Sequence, residues 1–247
     1  MNSWESDTTI IIPTYNEREN IRALIQNIYV KHSNISILVV DDNSPDKTAE
    51  VVQELMKNYK QLFLLKREKK DGLGNAYKHA YAELLHDPYI ERVITMDADD
   101  SHDPKYIADL LDAAHHHDLV VGSRYVAHGG VSNWSLRRKM MSKWGNAYTQ
   151  MCTGSSIKDM TSGFICISKS LAQKIDIQTI ASAGYSYQIE FKFRCMQNRA
   201  KIKEIPIIFS DRKEGQSKMS GSIVWEGIKT PLRLFWKRIV NWFAQSF

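Results

Sequence analysis

Two aspartates separated by one alanine, Asp97-Ala98-Asp99, have the clearest chemical capacity in this chain. Carboxylates at that spacing, placed just past a buried strand, point out of the fold together and can hold a hard divalent cation. Such an ion can bridge the oxygens of a diphosphate and neutralise the charge that develops as the diphosphate departs. An acidic pair in a loop is commonly only solvated or capping. Here the apolar run Arg92-Val93-Ile94-Thr95-Met96 directly ahead of it gives the pair a defined place. Ser101 and His102 can reach the same ion, whereas Asp100 and Asp103 are expected to face solvent or to cap a helix opening near Pro104.

A second acidic edge follows at Asp41-Asp42-Asn43-Ser44-Pro45-Asp46, where Asp46 suits a helix cap and Asp42 suits hydrogen bonding to a nucleobase or ribose. Pro13-Thr14-Tyr15-Asn16-Glu17 offers an aromatic face and a carboxylate, although alone it is a strand-to-helix turn. Gly72-Leu73-Gly74 at the start of a helix permits close backbone approach, to a phosphate or simply to make a turn. Arg124 ends an apolar run, and Arg137-Arg138-Lys139 opens a helix where cations oppose the macrodipole, a placement that points to an anionic partner or to plain solvation. Arg212 and Lys218 fall in a polar loop able to close over a diphosphate.

The elements that must position these residues alternate. Thr8 to Pro13, Ile35 to Val40, Leu62 to Leu65, Arg92 to Met96 and Asp118 to Val121 read as strands, separated by helical patterns. The first helix carries Ile21, Leu24, Ile25 and Ile28 at helical spacing, with Asn16 and Glu19 placed for a capping box. Such alternation predicts an α/β fold whose parallel sheet has helices on both faces. Ligands in such sheets bind beyond the carboxyl ends of the strands, where the Thr14, Asp42 and Asp97 loops converge. The second half is less regular, with a glycine- and serine-rich loop over 128–135, helices near 136–152 and 186–198, and strands near 164–167 and 203–207.

With 247 residues the chain suits one domain with an appended helical region, and its net charge of +5 fits anionic partners without demanding them. The basic residues form no continuous stripe with interleaved aromatics, so nucleic acid is not expected as a partner. Cys152, Cys166 and Cys195 have neither metal nor disulfide spacing. No signal sequence and no run of ~20 apolar residues is present, which predicts a cytoplasmic protein. From Ile228, the residues Leu232, Phe235, Trp236, Ile239, Trp242 and Phe243 share one helical face beside Lys229, Arg233, Lys237 and Arg238, as in an interfacial helix or one packed on the domain. Pro231 is expected to kink or start that helix.

Taken together, the segments at 13–17, 40–46, 72–77, 97–99, 122–125 and 211–218 resemble, in order, the motifs of the dolichol- or polyprenol-phosphate mannosyltransferases of glycosyltransferase family 2. The resemblance implies a GT-A fold with a Rossmann-like nucleotide-binding sheet, here over 1–221, and the amphipathic helix read from the residues above follows over 222–247. It implies inverting transfer of mannose from GDP-mannose to a dolichyl or polyprenyl phosphate, with Mg²⁺ or Mn²⁺ held by Asp97, Asp99 and Ser101. By the same pattern Pro13, Tyr15, Glu17, Val40 and Asp42 hold the nucleoside, Ala98 joins the donor contacts, and Arg212 and Lys218 hold the diphosphate. Arg124, Arg138 and Ser142 grip the acceptor phosphate, and Glu190 takes a structural or sugar-binding role rather than that of a base. The transmembrane helices of many family members are not found here, so peripheral attachment to the cytoplasmic membrane face, or a membrane-anchor subunit, is expected. UDP-glucose or another sugar nucleotide is the competing donor. A non-catalytic, membrane-associated binding module is the competing class, and the intact acidic pair argues against it.

Overall fold

The computed structural model describes residues 5–184, 186–210 and 221–245. Along the chain run β1 (Thr8–Thr14), α1 (Arg18–Lys31), β2 (Ser36–Asp41), α2 (Thr48–Met56), β3 (Leu62–Lys66), α3 (Leu73–Leu84) and β4 (Arg92–Thr95). After a 3₁₀ turn at Pro104–Tyr106 come α4 (Ile107–Ala114), β5 (Leu119–Ser123), β6 (Gly130–Val131), α5 (Leu136–Thr153), β7 (Ile165–Ser168) and α6 (Lys169–Lys174). The chain then forms α7 (Tyr187–Gln197), β8 (Ile202–Pro206), β9 (Ile208–Phe209) and α8 (Gly221–Gln245).

Seven strands make the main sheet in the order β3-β2-β1-β4-β7-β5-β8. Period-2 alternation divides each strand between two cores. Ile10 and Ile12 face α1, α2 and α4, while Ile11 faces α3, α6 and α7. Helices therefore cover both faces, as the sequence predicts. The sheet is not wholly parallel, however. β7 runs antiparallel to β4 and β5, its neighbours on either side. Between β5 and β7 the long α5 packs against α8 instead of crossing a sheet face. Without a crossover the chain re-enters the sheet from the edge it left, and must run backwards. All three cysteines are buried and free.

The expected capping box at Asn16 does not form. Asn16 has φ 60, α1 begins at Arg18, and no side chain at its own cap position bonds the helix. The neighbouring loop supplies the acceptors: Thr48 Oγ1 takes Glu17 N–H (3.0 Å) and Asp46 Oδ2 takes Arg18 N–H (3.0 Å). Asp46 Oδ1 also takes Thr48 N–H (3.0 Å), so one carboxylate caps two helices. Parallel β1 and β2 end side by side, which brings this loop within reach.

α8 rests on α5 and α7, with Leu234 buried among Ile157, Met160, Ile189 and Phe193. Pro231 lies inside this helix rather than at its start. The exposed apolar stripe is Trp225, Ile228, Leu232, Trp236 and Val240, while Phe235 and Ile239 are half-buried. The side chains of Trp242 and Phe243 lie outside the described residues. No described helix is long and apolar enough to cross a membrane.

Candidate active site

The loop after β4 is held from beneath. Asp97 N–H donates to His102 Nδ1 (3.0 Å), so that nitrogen carries no proton and the ring is the neutral Nε2–H form. Burial pushes the His102 imidazole below its usual range, against the pull of Asp97 and Asp99. Phe164 stacks on the ring at 4.9 Å and Phe209 meets it edge-on at 5.4 Å. His102 is thus a support for the Asp97 backbone, and its Nδ1 is not available to a metal ion. Asp99 is buried and accepts from Ser101 N–H (3.2 Å) and Ser101 Oγ (2.5 Å), while the Asp97 side chain is 34% exposed at the crevice. Asp103 caps the following 3₁₀ turn through Lys105 N–H (2.9 Å).

Among the described residues no group of three His, Cys, Asp or Glu side chains could hold a metal ion. Two carboxylates and a hydroxyl form an all-oxygen set, which fits Mg²⁺ or Mn²⁺ provided that substrate oxygens and water complete the shell. That is the coordination expected of an ion bound together with a diphosphate.

At the adjoining strand ends Asp41 and Asp42 have different work. Asp41 accepts from Thr14 Oγ1 (3.0 Å), Ser44 N–H (2.9 Å) and Ser44 Oγ (2.6 Å), which fixes the turn. Asp42 Oδ1 accepts from buried Arg67 Nη1 (2.5 Å), and Arg67 also pairs with Asp71. Burial raises the Asp42 carboxyl above its usual range despite Arg67. Tyr15 carries the Lys70 ammonium 3.8 Å over its ring, and Glu17 Oε2 accepts from Asn20 Nδ2 (3.0 Å). Pro13 pairs with Val40 across β1 and β2. The side chains of Val40 and Ala98 lie in the core, so only their backbones can meet a ligand. Gly72 and Gly74 serve close packing: an added Cβ would meet Ala183 O at 2.5 Å and Ser182 O at 2.7 Å.

Arg124, Arg138 and Ser142 come together around two aromatic rings. Arg124 lies 5.8 Å and Arg138 4.1 Å from the Trp134 ring, while Tyr125, 5.3 Å from Arg124, donates its hydroxyl to Ser142 Oγ (2.6 Å). Asp159 grips Arg124 at Nε (2.7 Å), Nη2 (2.6 Å) and backbone N–H (3.0 Å), and Thr161 Oγ1 accepts from Nη2 (2.7 Å). Nη1 has no partner among the described residues. Burial alone would raise the Asp159 carboxyl, but the Arg124 guanidinium holds it below its usual range. Asn146 Oδ1 accepts from Met160 N–H (2.9 Å), and Lys192 Nζ donates to Ser162 O (2.6 Å). Burial pushes the Lys192 amine down to about 8. The segment 159–163 therefore clamps Arg124 at one end and lies beside Asp97 at the other, where a Cβ on Gly163 would sit 3.6 Å from Asp97 Oδ1.

Glu190 is committed to structure, accepting from Ser182 Oγ (2.8 Å), Ser182 N–H (3.1 Å), Ala181 N–H (3.3 Å), Arg194 Nη2 (3.3 Å) and Arg233 Nη2 (2.6 Å). Arg212 and Lys218 lie outside the described residues. Sequence reasoning misses Arg67, Asp159 and Lys192, whose partners Asp42, Arg124 and Ser162 lie far away in the chain, and Trp134, whose ring lies beside Arg124 and Arg138.

Residues 9–176 match the family described as Glycosyl transferase family 2. A polyprenol monophosphomannose synthase of Mycolicibacterium smegmatis is 40% identical over 223 residues, 90% of this chain and 84% of that one. An undecaprenyl-phosphate mannosyltransferase of Micrococcus luteus is 37% identical over 232 residues, 94% of both chains. Among solved structures, a glucosyl-3-phosphoglycerate synthase of Mycobacterium tuberculosis, in complex with Mn²⁺, UDP and phosphoglyceric acid, superposes with a TM-score of 0.69. That match has 15% identity and covers 93% of this chain and 78% of the other, so it speaks for the GT-A fold alone. With a family match over most of its length and two such relatives, this chain is a glycosyltransferase of family 2.

Proposed function

We propose that the protein transfers mannose from GDP-mannose to a polyprenyl or dolichyl phosphate, with inversion. The observation that carries this reading is a pair of sites of opposite charge, joined by one short segment. The Asp97–Asp99 edge would suit a diphosphate accompanied by a divalent ion, and the Arg124–Arg138–Ser142 cluster suits a second, separate phosphate. Relatives at 37–40% identity bear the names of polyprenyl-phosphate mannosyl transfer, which supports mannose and a lipid phosphate here.

In this mechanism Tyr15, Glu17 and Asp42, with the backbones of Pro13 and Val40, seat the nucleoside. Asp97 and Asp99, with Ser101 holding the Asp99 carboxylate in place, would bind Mg²⁺ or Mn²⁺. When bound, that ion neutralises charge on the departing diphosphate. Arg124 and Arg138 position an acceptor phosphate, and Arg212 and Lys218, which lie outside the described residues, would hold the diphosphate by the family's pattern. A phosphate oxygen attacks the anomeric carbon opposite the leaving group, and the bond from that carbon to GDP breaks as the new bond forms. The acceptor is already ionised near neutral pH, so no proton moves and no general base is needed. Glu190, with five donors on its two oxygens, is unsuited to that task in any case.

Residues 1–221 form the catalytic unit in this reading, and α8 joins α5 as a membrane-facing surface. Leu136, Met140 and Trp144 of α5 are exposed at helical spacing, as are Trp225, Leu232 and Trp236 of α8. Lysines 139, 143, 229 and 237 on these helices suit an anionic bilayer surface. Contact there would bring the lipid phosphate to the N-terminal end of α5, where Arg138 lies. The test is transfer in Mn²⁺ from labelled GDP-mannose and UDP-glucose to polyprenyl phosphate. Label reaching the lipid from GDP-mannose is expected. Label from UDP-glucose alone would overturn the mannose assignment, and none from either would overturn lipid-linked transfer.

A further inference from the structure

Beside Asp97 lies a polar side chain that no part of this mechanism uses. Gln188, in the first turn of α7, is 3% exposed, and neither Nε2 nor Oε1 has a hydrogen-bond partner among the described residues. An amide buried without partners is costly, and such a group in a native structure calls for a strain, a bound water or ion, or a functional role to account for it. Gln188 cannot simply turn to water. The start of α7 is pinned two residues further on, where Glu190 is tied to Ser182 and Arg233.

The opening in front of this amide is defined by Gly163. A Cβ there would lie 3.6 Å from Asp97 Oδ1, 3.6 Å from Gln188 Nε2 and 3.8 Å from His102 Cε1. The missing side chain leaves a gap bordered by the diphosphate-side carboxylate and the orphaned amide. A further hydroxyl, Tyr187 Oη, is also buried without a hydrogen-bond partner among the described residues, on a ring stacked 5.5 Å from that of Tyr77. Burial raises the Tyr77 hydroxyl far above its usual range, and Asp97 adds to the rise, which places that ring near the same carboxylate.

Building on the transferase reading above, we propose that Gln188 is a specificity-determining residue that hydrogen-bonds hydroxyls of the transferred hexose through the opening kept by Gly163. The chemistry matches on both sides. A carboxamide offers one acceptor and two donors at its tip, and a pair of sugar hydroxyls supplies the complement. A sugar joined to a diphosphate held at Asp97 has to lie within a few ångströms of that carboxylate. Glu190, the acidic neighbour, is saturated and cannot take this part.

The experiment compares wild type with Gln188→Leu and Gln188→Asn by calorimetry in Mn²⁺, using GDP and GDP-mannose as separate probes, with thermal unfolding alongside. Leucine keeps most of the volume and removes both polar atoms, so the variant is expected to unfold at or above the wild-type temperature. GDP affinity should be unchanged, while affinity for GDP-mannose should fall about tenfold or more and kcat/KM with it. Gln188→Asn keeps the amide but shortens its reach, and should show the same pattern in weaker form. Equal GDP-mannose affinity in wild type and Gln188→Leu would overturn the proposal. So would a parallel fall for GDP, which marks a structural role. Should wild type transfer from UDP-glucose instead, the mannose reading fails alone. The same comparison with UDP and UDP-glucose then decides the role of Gln188.

Discussion

Replacing Asp159 by asparagine removes the counter-charge of Arg124 while keeping the shape of the side chain. In the wild-type protein Asp159 is fully buried and the Arg124 side chain is 8% exposed, with three hydrogen bonds between the residues at 2.6–3.0 Å. Removing one partner of a buried pair costs about 3–5 kcal/mol, because the remaining charge has left water without compensation. An asparagine oxygen still accepts one of the three bonds, which argues for the lower end, about 3 kcal/mol. Lys192, another buried cation, draws on the Asp159 charge and adds to the penalty. Domains of this kind have roughly 5–15 kcal/mol in hand, so Asp159→Asn should fold but denature at clearly lower urea. Urea titration followed by tryptophan fluorescence measures the loss. The double variant Asp159→Asn, Arg124→Gln exchanges the ion pair for neutral amides and should recover most of it. The acid side has a defined sign. Because the folded Asp159 carboxyl is held below its unfolded value, its contribution is present above pH ~4 and fades as pH falls through the folded value. Asp159→Asn should flatten that limb. A loss under about 1 kcal/mol, or a double variant no more stable than the single one, would refute the account of a buried pair anchoring Arg124.

Arg67→Met should weaken GDP binding, as it strips Asp42 of its partner, and the loss should be larger at pH 6 than at pH 8. Burial already raises the Asp42 carboxyl, and without Arg67 more of it is protonated on the acid side; calorimetry at both pH values checks this. Lys192 titrates at about 8 in the folded protein and near 10.4 when unfolded, so the unfolded chain binds the extra proton between those values. Stability should rise with pH across that window, and Lys192→Met should abolish the rise in urea titrations at pH 7 and 9.5. Trp144→Ser with Trp236→Ser should reduce sedimentation with anionic liposomes by about tenfold and leave GDP affinity unchanged; equal sedimentation would reject the α5–α8 face as the membrane contact.

The acidic edges were legible because strand periodicity stops just before them. The run ending at Met96 and the run ending at Val40 each deliver polar residues to one edge of the sheet. The helices over both faces were legible for a similar reason, since Ile10, Ile11 and Ile12 can all be buried only between two layers. Long-range partners were not legible. Arg67 reads as one basic residue among many until the fold brings it to Asp42, and Asp159 has no motif that ties it to Arg124. The cap of α1 departs from the local pattern because Asp46, distant in the chain, supplies the acceptor in place of Asn16. The direction of β7 depends on where α5 packs, which periodicity does not encode.

That reversed strand has a consequence for how the protein can change. Because β7 runs against its neighbours, the segment before it abuts the reactive edge and the turn after it lies on the opposite edge of the sheet. Insertions on the two sides of one four-residue strand are therefore unequal events. A residue added within 155–163 displaces Gly163 and the clamp on Arg124 together, whereas one added after Ser168 disturbs the start of α6 and the bonds of Lys169 to Glu91 and Asp87, away from the reactive edge. On the proposed function, variation in acceptor preference would fall instead in the 126–135 loop and the exposed face of α5.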